Sequence, residues 1–197
     1  DELLTTRWDQ SMPFNKELVR ITGKSYPTGC MATAMAQIMK YHSYPSTGQG
    51  YKGYAIDGKN GNYDFENTTY RYDRMLDVYS GNNYTEEQAD AVAKLMLHCG
   101  VAVDMTYGLS GSGSFSSDAT TALNEYFKYD SRLYSRDIYT KAEWMDIIFD
   151  EISNGRPILY GGVTAQNAGH AFVFDGYDAE GLVHVNWGWS GSGNGYF

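Results

Sequence analysis

Residues 26–41 read YPTGCMATAMAQIMKY, and this stretch carries one of the two cysteines of the 197-residue chain. From residue 28 to about residue 41 it is apolar on nearly every face, with Thr33 and Gln37 as the main polar interruptions. A helix that is hydrophobic all round belongs at the centre of a domain, enclosed by other elements. The stretch therefore predicts a buried central helix with Cys30 in its first turn.

The residues just before this cysteine are typical of a helix start. Pro27, Thr28 and Gly29 precede Cys30, and Gly29 also leaves room for a substrate backbone to approach the sulfur. A thiol in a first turn meets the positive end of the helix dipole, which favours the thiolate. Cys30 is thus a candidate nucleophile, although a small core residue would fit the same position.

Composition and charge exclude several classes of protein. With 42% hydrophobic and 20% charged residues, the chain belongs with globular proteins, and its length favours a single domain. Lys and Arg number 15 against 24 Asp and Glu, and the resulting net charge of −9 argues against a nucleic-acid partner. No apolar stretch reaches the roughly 18 residues of a membrane span.

Periodicity and turn residues predict a helical first half and a sheet-rich second half. We expect four further helices, at about 71–79, at 85–99, from near 118, and at 141–153. We also expect four strands, at about 101–105, 156–163, 170–177 and 182–189. The fold class is therefore α+β, with a mainly helical lobe over about 1–105 and a mainly sheet lobe over about 106–197.

Local signals set the expected ends of two of these helices. Thr85 with Gln88 and Thr140 with Glu143 have the spacing of capping boxes, and Gly100 is the expected stop of the first of the two helices.

Cys99 falls on the apolar face of the 85–99 helix and is interpreted as a core residue. The sequence alone leaves a disulfide between Cys30 and Cys99 open. His42 and His98 end helices and are interpreted as structural, and His184, inside a strand, as a core histidine.

A nucleophilic cysteine needs a base and a group that orients the base. If strands 170–175 and 181–187 form a hairpin around the turn GYDAE, His170 faces Asn186 and Phe172 faces His184. His170 also follows Cys30 by a spacing typical of papain-type enzymes, about 130–150 residues, and Asn186 lies just beyond that range. The pattern predicts a cysteine–histidine–asparagine set, with Trp187 or Trp189 covering the polar pair.

Several motifs, in order, resemble the streptopain family of cysteine peptidases. They are LLTTRWDQ, TGCMATAMAQIMKYHSYP, VAVDMTYG, AGHAFVFDGY and HVNWGWSG, and the resemblance runs from about Leu3 to Phe197. It implies a papain-like fold, bacterial secretion or export, and an N-terminal pro-segment that inhibits the precursor. It also implies protein or peptide substrates, cleaved broadly with a hydrophobic residue preferred two positions before the scissile bond.

The resemblance assigns roles to particular residues. Cys30 would be the nucleophile, His170 the general base and then acid, Asn186 the group that orients the imidazole, Trp187 its shield, and Gln10 an oxyanion-hole donor. The backbone N–H of Cys30, left free by the helix start, would be the second donor. Six residues are expected along the substrate cleft: Gly29, Gly108, Ser110, Gly111, Gly169 and Trp189. No metal or cofactor is expected.

The family continues past the GYF at 195–197, so we expect a C-terminal end that is either truncated or naturally shorter. The pro-segment implied by the resemblance is absent, so we expect this chain to be the mature portion. Two alternative functions stay open. A Cys-His-Asn set on the same scaffold also serves acyl transfer of the transglutaminase kind. A surface rich in tyrosine, with 18 in this chain, would equally suit a non-catalytic module that binds glycan or protein.

Overall fold

A computed structural model describes the protein over residues 1–163 and 169–197. The described residues form five α-helices and six strands: α1 Lys16–Thr22, α2 Cys30–His42, β1 Tyr51–Ile56, β2 Lys59–Asp64, α3 Glu86–Ala102, α4 Ser116–Tyr126, α5 Lys141–Ser153, β3 Ile158–Val163, β4 Gly169–Tyr177, β5 Val183–Asn186 and β6 Gly195–Tyr196. The strands make an antiparallel hairpin, β1–β2, and a four-stranded antiparallel sheet in the order β3-β4-β5-β6. The mixed α+β class is as predicted. No helix in these ranges is long and apolar enough to cross a membrane.

Helix α2 is the central helix that its sequence predicts. Its residues 31–39 are all buried, and it packs against α3 on one side and β4 on the other. Gly29 occupies the N-cap with φ +91, a backbone conformation that glycine adopts without strain. An added Cβ at Gly29 would lie 2.6 Å from Cε of Met105, so close packing requires glycine here as well.

Helix α3 starts as predicted but runs further. The capping box of Thr85 and Gln88 is formed, as is that of Thr140 and Glu143 on α5. Gly100 does not end α3, and the predicted strand at 101–105 is wrong because α3 continues to Ala102. The Tyr107 hydroxyl occupies the space that a Cβ at Gly100 would need, so this glycine serves helix packing rather than termination.

The predicted helix at 71–79 is also wrong, since only a 3₁₀ turn forms, over Tyr72–Arg74. The backbone beyond it is engaged by the N-terminal segment instead. Trp8 Nε1 donates to the carbonyl of Leu76 at 2.9 Å, and the N–H of Arg7 donates to the carbonyl of Asp77 at 2.9 Å. Tertiary hydrogen bonds thus satisfy carbonyl groups that a helix would have used.

The register of the β4–β5 hairpin differs from the predicted one. Asn186 pairs with Val173, and His184 pairs with Gly176, so Asn186 does not face His170 and His184 does not face Phe172. Two features shift the pairing. Strand β4 extends to Tyr177, so the turn lies over 178–182 rather than 176–180, and the register slips between Phe174 and Gly176.

Two packed regions share α2. The larger core includes Trp8, Met35, Val92, Cys99 and Phe127, from the N-terminal segment, α2, α3 and the end of α4. On the sheet side, Leu4, Ala34, Ile38 and Val173 pack together. The expected lobe boundary near residue 105 stays a prediction.

The two cysteines are free, so the disulfide that the sequence left open is not formed. Cys99 is fully buried in the larger core with its Sγ 3.6 Å from Sδ of Met39, as expected of a core residue. His98 is buried as well, and its Nδ1 is 2.7 Å from the hydroxyl of Tyr70. His184 is buried in the sheet, where its Nδ1 lies 2.6 Å from Oδ1 of Asp175.

Candidate active site

The thiol of Cys30 lies where helix α2 meets strand β4. Cys30 is the first residue of α2 and is half-buried. The N–H of Ala171, on β4, donates to its Sγ at 3.3 Å. A hydrogen-bond donor and a helix N-terminus both stabilise negative charge on the sulfur. The sulfur therefore lies in surroundings suited to a thiolate, beside the residue that follows His170.

His170 shares one cavity with Cys30. The cavity has a volume of about 700 Å³ and also contains Gln10 and Trp189 on its walls. Burial lowers the pKa of His170, and a hydrogen bond with the backbone of Trp187 acts in the opposite direction. Only an acceptor stabilises the protonated ring, so this partner is the Trp187 carbonyl. Nε2 of His170 is buried without a hydrogen-bond partner among the described residues, which leaves that nitrogen for proton exchange.

Two tryptophans stack beside the imidazole. The His170 and Trp189 ring centroids are 4.9 Å apart with an interplanar angle of 18°, whereas Trp187 stacks at 6.1 Å. The two indoles also stack on each other, at 5.4 Å and 12°. Trp189 is therefore the nearer cover of the imidazole, while it also lines the cavity. Trp189 therefore fits both of its expected roles, since it lines the cleft and also covers the imidazole of His170.

Gln10 is oriented by the backbone that precedes the cysteine. The N–H of Gly29 donates to Oε1 of Gln10 at 3.1 Å, and the N–H of Thr28 donates to the backbone carbonyl of Gln10 at 3.0 Å. Because the amide oxygen is occupied by Gly29, the amide nitrogen of Gln10 is the end available to a ligand. Together with the N–H of Cys30, which has no hydrogen-bond acceptor among the residues that the structure describes, it is a candidate pair of donors for a developing oxyanion. Only the family resemblance pointed to Gln10, since an isolated glutamine in an irregular segment carries no signal of its own.

Asn186 does not hold the imidazole through its side chain in the arrangement that the hairpin prediction assumed. Its Nδ2 donates to the carbonyl of Thr6 at 2.9 Å, and its Oδ1 accepts from Nε2 of Gln37 at 3.3 Å and from the N–H of Gly188 at 3.1 Å. The residue is 2% exposed. Asn186 therefore fixes the backbone on both sides of Trp187, whose carbonyl meets the histidine.

Gln37 is a buried residue of this network to which the sequence analysis assigned no role. Its Oε1 accepts from the Thr6 hydroxyl at 2.8 Å, and its Nε2 reaches Asn186. A fully buried amide on an otherwise apolar helix must find partners, so the lone glutamine of α2 was the available signal.

The loop at 108–116, which is rich in Gly and Ser and which the resemblance places beside the substrate cleft, forms part of the cleft. Of the six residues expected there, Ser110, Gly111 and Trp189 line the cavity, whereas Gly29, Gly108 and Gly169 are absent from its described lining. Leu109 and Ser112, from the same expected loop, line it as well, and so do five residues that we had not expected: Ser11, Met12, Asn15, Ser25 and Pro27. No short motif marks them, because the cleft draws on segments that are distant in sequence.

Hydrogen bonds attach this loop to the helix start. The Ser112 hydroxyl donates to the carbonyl of Pro27 at 2.8 Å, and Thr106 and Gly113 form an antiparallel bridge. The Ser112 bond therefore attaches the loop to the segment just before Cys30, while the Thr106–Gly113 bridge closes the loop on itself. A thiol at a helix N-terminus, a histidine whose Nε2 has no partner among the described residues and two candidate oxyanion donors lie around one cleft of a papain-like fold, and these are the groups that nucleophilic catalysis by a cysteine requires.

Comparison with known proteins places the chain in a family. The model of the peptidase C10 family matches residues 8–197. Streptopain of Streptococcus pyogenes serotype M28 is 36% identical over 99% of this chain and 50% of its own length. The thiol protease/hemagglutinin PrtT of Porphyromonas gingivalis is 36% identical over 96% of this chain and 22% of its own length. The chain thus spans about half the length of the streptopain it matches.

Solved structures agree with this comparison. Active wild-type interpain A cysteine protease of Prevotella intermedia superposes with a TM-score of 0.93 and 46% identity, over 100% of this chain and 85% of that one. A prointerpain A fragment from the same organism superposes with a TM-score of 0.91 and 48% identity, over 100% of this chain and 64% of the fragment. The chain belongs to the peptidase C10 family.

Proposed function

We propose that this domain is a cysteine endopeptidase that hydrolyses peptide bonds in proteins. The observation that carries the proposal is the shared cavity in which Cys30, at the N-terminus of α2, meets His170 and Gln10. Membership of the peptidase C10 family supports the same reaction.

In the proposed reaction, Nε2 of His170 takes the proton of Cys30, and the thiolate attacks the carbonyl carbon of the scissile peptide. The oxyanion is held by the N–H of Cys30 and the amide nitrogen of Gln10. His170 then protonates the leaving amine, and an acyl-enzyme forms through a thioester to Cys30. Water, deprotonated by His170, attacks this thioester, which releases the acid and restores the thiol.

The imidazole is oriented from the Trp187 side. Burial lowers the pKa of His170, and the hydrogen bond with the backbone of Trp187 opposes this shift without reversing it. The stacked indole of Trp189 limits the rotation of the ring. We propose that Asn186 acts indirectly, because its side chain bonds Thr6, Gln37 and Gly188 and so fixes the position of the Trp187 carbonyl.

Specificity, precursor and location are proposals at the same level. We expect broad cleavage with a hydrophobic residue two positions before the scissile bond, consistent with the apolar side chains of Leu109 and Met12 on the cleft. The name of the prointerpain fragment supports an N-terminal pro-segment that inhibits the precursor. The likeness to streptopain supports secretion or export by a bacterium.

Proteolysis of unfolded casein, with and without iodoacetamide, tests the proposal. We expect cleavage by the wild type, loss of cleavage after alkylation and no cleavage by Cys30→Ala. Survival of cleavage in Cys30→Ala would refute it.

The casein assay also separates the alternatives. Incorporation of an added primary amine with the peptide bonds uncut would indicate acyl transfer instead. Binding of casein without either reaction would leave a non-catalytic module.

A further inference from the structure

A carboxylate next to Gln10 joins the two walls of the cleft. Oδ1 of Asp9 accepts from the N–H of Gln10 at 2.7 Å, and its Oδ2 accepts from the hydroxyl of Ser190 at 3.0 Å. Beside them, the N–H of Ser190 donates to the carbonyl of Trp8 at 3.1 Å. Segment 8–10 is therefore bonded directly to the loop that follows β5.

The backbone conformation of Ser190 indicates that its side-chain hydroxyl makes a contact that the loop needs. Its φ is +55, in the left-handed region that disfavours a side chain with a Cβ. The other residues of this loop with positive φ are glycines, Gly188, Gly191 and Gly193. A serine in a conformation that glycine adopts without strain points to a contact that glycine could not make. The bond to Asp9 is that contact.

Each partner of this bond is adjacent in sequence to a residue of the site. Asp9 precedes Gln10, the amide donor, and Ser190 follows Trp189, which stacks on His170. Asp9 itself is absent from the described lining of the cavity, so it does not contact substrate there. A change in the Asp9–Ser190 distance would move the oxyanion donor relative to the imidazole.

We propose that Asp9 and Ser190 are positioning residues that form a clamp and set the distance between Gln10 and the Trp189–His170 stack. The proposal rests on the proposed peptidase function. It extends that function to two residues outside the reacting set, which act through hydrogen bonds rather than through contact with the peptide. Asparagine at position 9 can accept from the Gln10 N–H and donate to the Ser190 oxygen, so the clamp does not require the charge.

Steady-state kinetics on a fluorogenic peptide with leucine two positions before the scissile bond test the clamp. Because small misplacements of catalytic groups cost up to about 100-fold in rate, we expect Asp9→Ala to lower kcat by about 10-fold with KM within about 2-fold. Ser190→Ala should lower kcat by about 3-fold, and the double variant should be no slower than Asp9→Ala, because both changes break one link. Asp9→Asn should recover most of the lost kcat.

Two further measurements separate positioning from a general loss of structure. On a Gln10→Ala background, Asp9→Ala should change kcat by less than about 2-fold, since the donor it positions is already gone. The rate of Cys30 alkylation by iodoacetamide, a reaction without an oxyanion, should stay within about 2-fold of wild type in Asp9→Ala. Ser192→Ala is the matched control, because that hydroxyl of the same loop makes no hydrogen bond within the described ranges, and it should behave as wild type.

Several results would overturn the clamp while leaving the peptidase function intact. One is a wild-type kcat in both Asp9→Ala and Ser190→Ala, and another is a loss of kcat in the double variant that equals the product of the two single losses. A third is an Asp9→Asn enzyme as slow as Asp9→Ala, which would assign the effect to the charge of Asp9. If Asp9→Ala fails to fold, Ser190→Ala and Ser190→Gly carry the test, and wild-type kcat in both refutes the proposal. Absence of cleavage by the wild type would instead refute the proposed function.

Discussion

The imidazole of His170 lies face to face with the indole of Trp189, with ring centroids 4.9 Å apart and planes inclined by 18°. This stack covers one face of the base while its Nε2 stays without a partner among the described residues. An aromatic surface thus covers the ring, while the side chain of Asn186 is engaged by Thr6, Gln37 and Gly188.

Replacing Trp189 should weaken the hold on the imidazole. An aromatic stack is worth about 0.5–1.5 kcal/mol, and about 1.4 kcal/mol corresponds to a tenfold change in rate, so we expect Trp189→Ala to lower kcat/KM by up to about 10-fold. Trp189→Phe keeps a ring in place and should retain most of the activity. Because Trp189 also lines the cleft, alkylation of Cys30 by iodoacetamide at neutral pH provides a readout that needs no peptide. The alkylation rate should be lower in Trp189→Ala than in Trp189→Phe, as for kcat/KM. Equal alkylation rates in the wild type and both variants would contradict the role of the stack.

Gln10→Ala should lower kcat/KM by about 100-fold or more, because loss of one oxyanion donor costs roughly 10²–10³ in rate. Gln10→Glu should be slower still, since it keeps an acceptor for the Gly29 N–H but brings a carboxylate toward the developing negative charge. Steady-state kinetics measure both, with Cys30 alkylation as the reference for an intact thiolate. A Gln10→Glu enzyme as fast as wild type would remove Gln10 from the oxyanion hole.

Asn186→Ala should destabilise the fold as well as slow the enzyme. The substitution leaves the buried Nε2 of Gln37 and the carbonyl of Thr6 without their present partner, and an unsatisfied buried group costs about 1–3 kcal/mol. His170→Ala, at a half-buried position, should abolish cleavage with a smaller loss of stability. Chemical denaturation in a Cys30→Ala background, which prevents self-digestion, compares the two. If Asn186→Ala were as stable as the Cys30→Ala parent protein, the hydrogen bonds of Asn186 with Gln37 and Thr6 would not contribute to stability as proposed.

His98 should make stability depend on pH. Burial lowers the pKa of His98 to about 3, whereas the unfolded chain protonates histidine near pH 6.5. Between these values the unfolded state binds the extra proton, so stability is lost as the pH falls from about 6.5, at up to about 1.4 kcal/mol per pH unit.

Denaturant midpoints of the Cys30→Ala protein between pH 7 and pH 4 measure this loss, with His98→Gln as the comparison. Glutamine can donate to or accept from the Tyr70 hydroxyl but does not titrate, so its curve should be flatter over the same interval. Parallel curves for the two proteins would show that His98 is not the group responsible.

The sequence by itself determined the central helix and the starts of two further helices, and it singled out Cys30 and His170 as candidate reacting residues. The apolar run from Cys30 predicted the central helix because a helix without a polar face has to be enclosed, and two capping boxes predicted the starts of α3 and α5 to the residue. These signals lie within a few residues of one another along the chain. Cys30 and His170 also stood out, because a helix-start thiol and a histidine at a strand start carry their chemistry in residue type and position.

Only the tertiary structure decided how distant segments meet. The β4–β5 register depends on the length of β4 and on an irregularity at Asp175, a buried residue that also accepts from the N–H of Leu4. Pairing arithmetic that assumes a regular hairpin cannot include such a contact. The same holds for Gln10 and Gln37, which acquire their roles from backbone groups and amides far along the chain. The fold decides which groups come within hydrogen-bonding distance, and it brought the side chain of Asn186 to Thr6, Gln37 and Gly188.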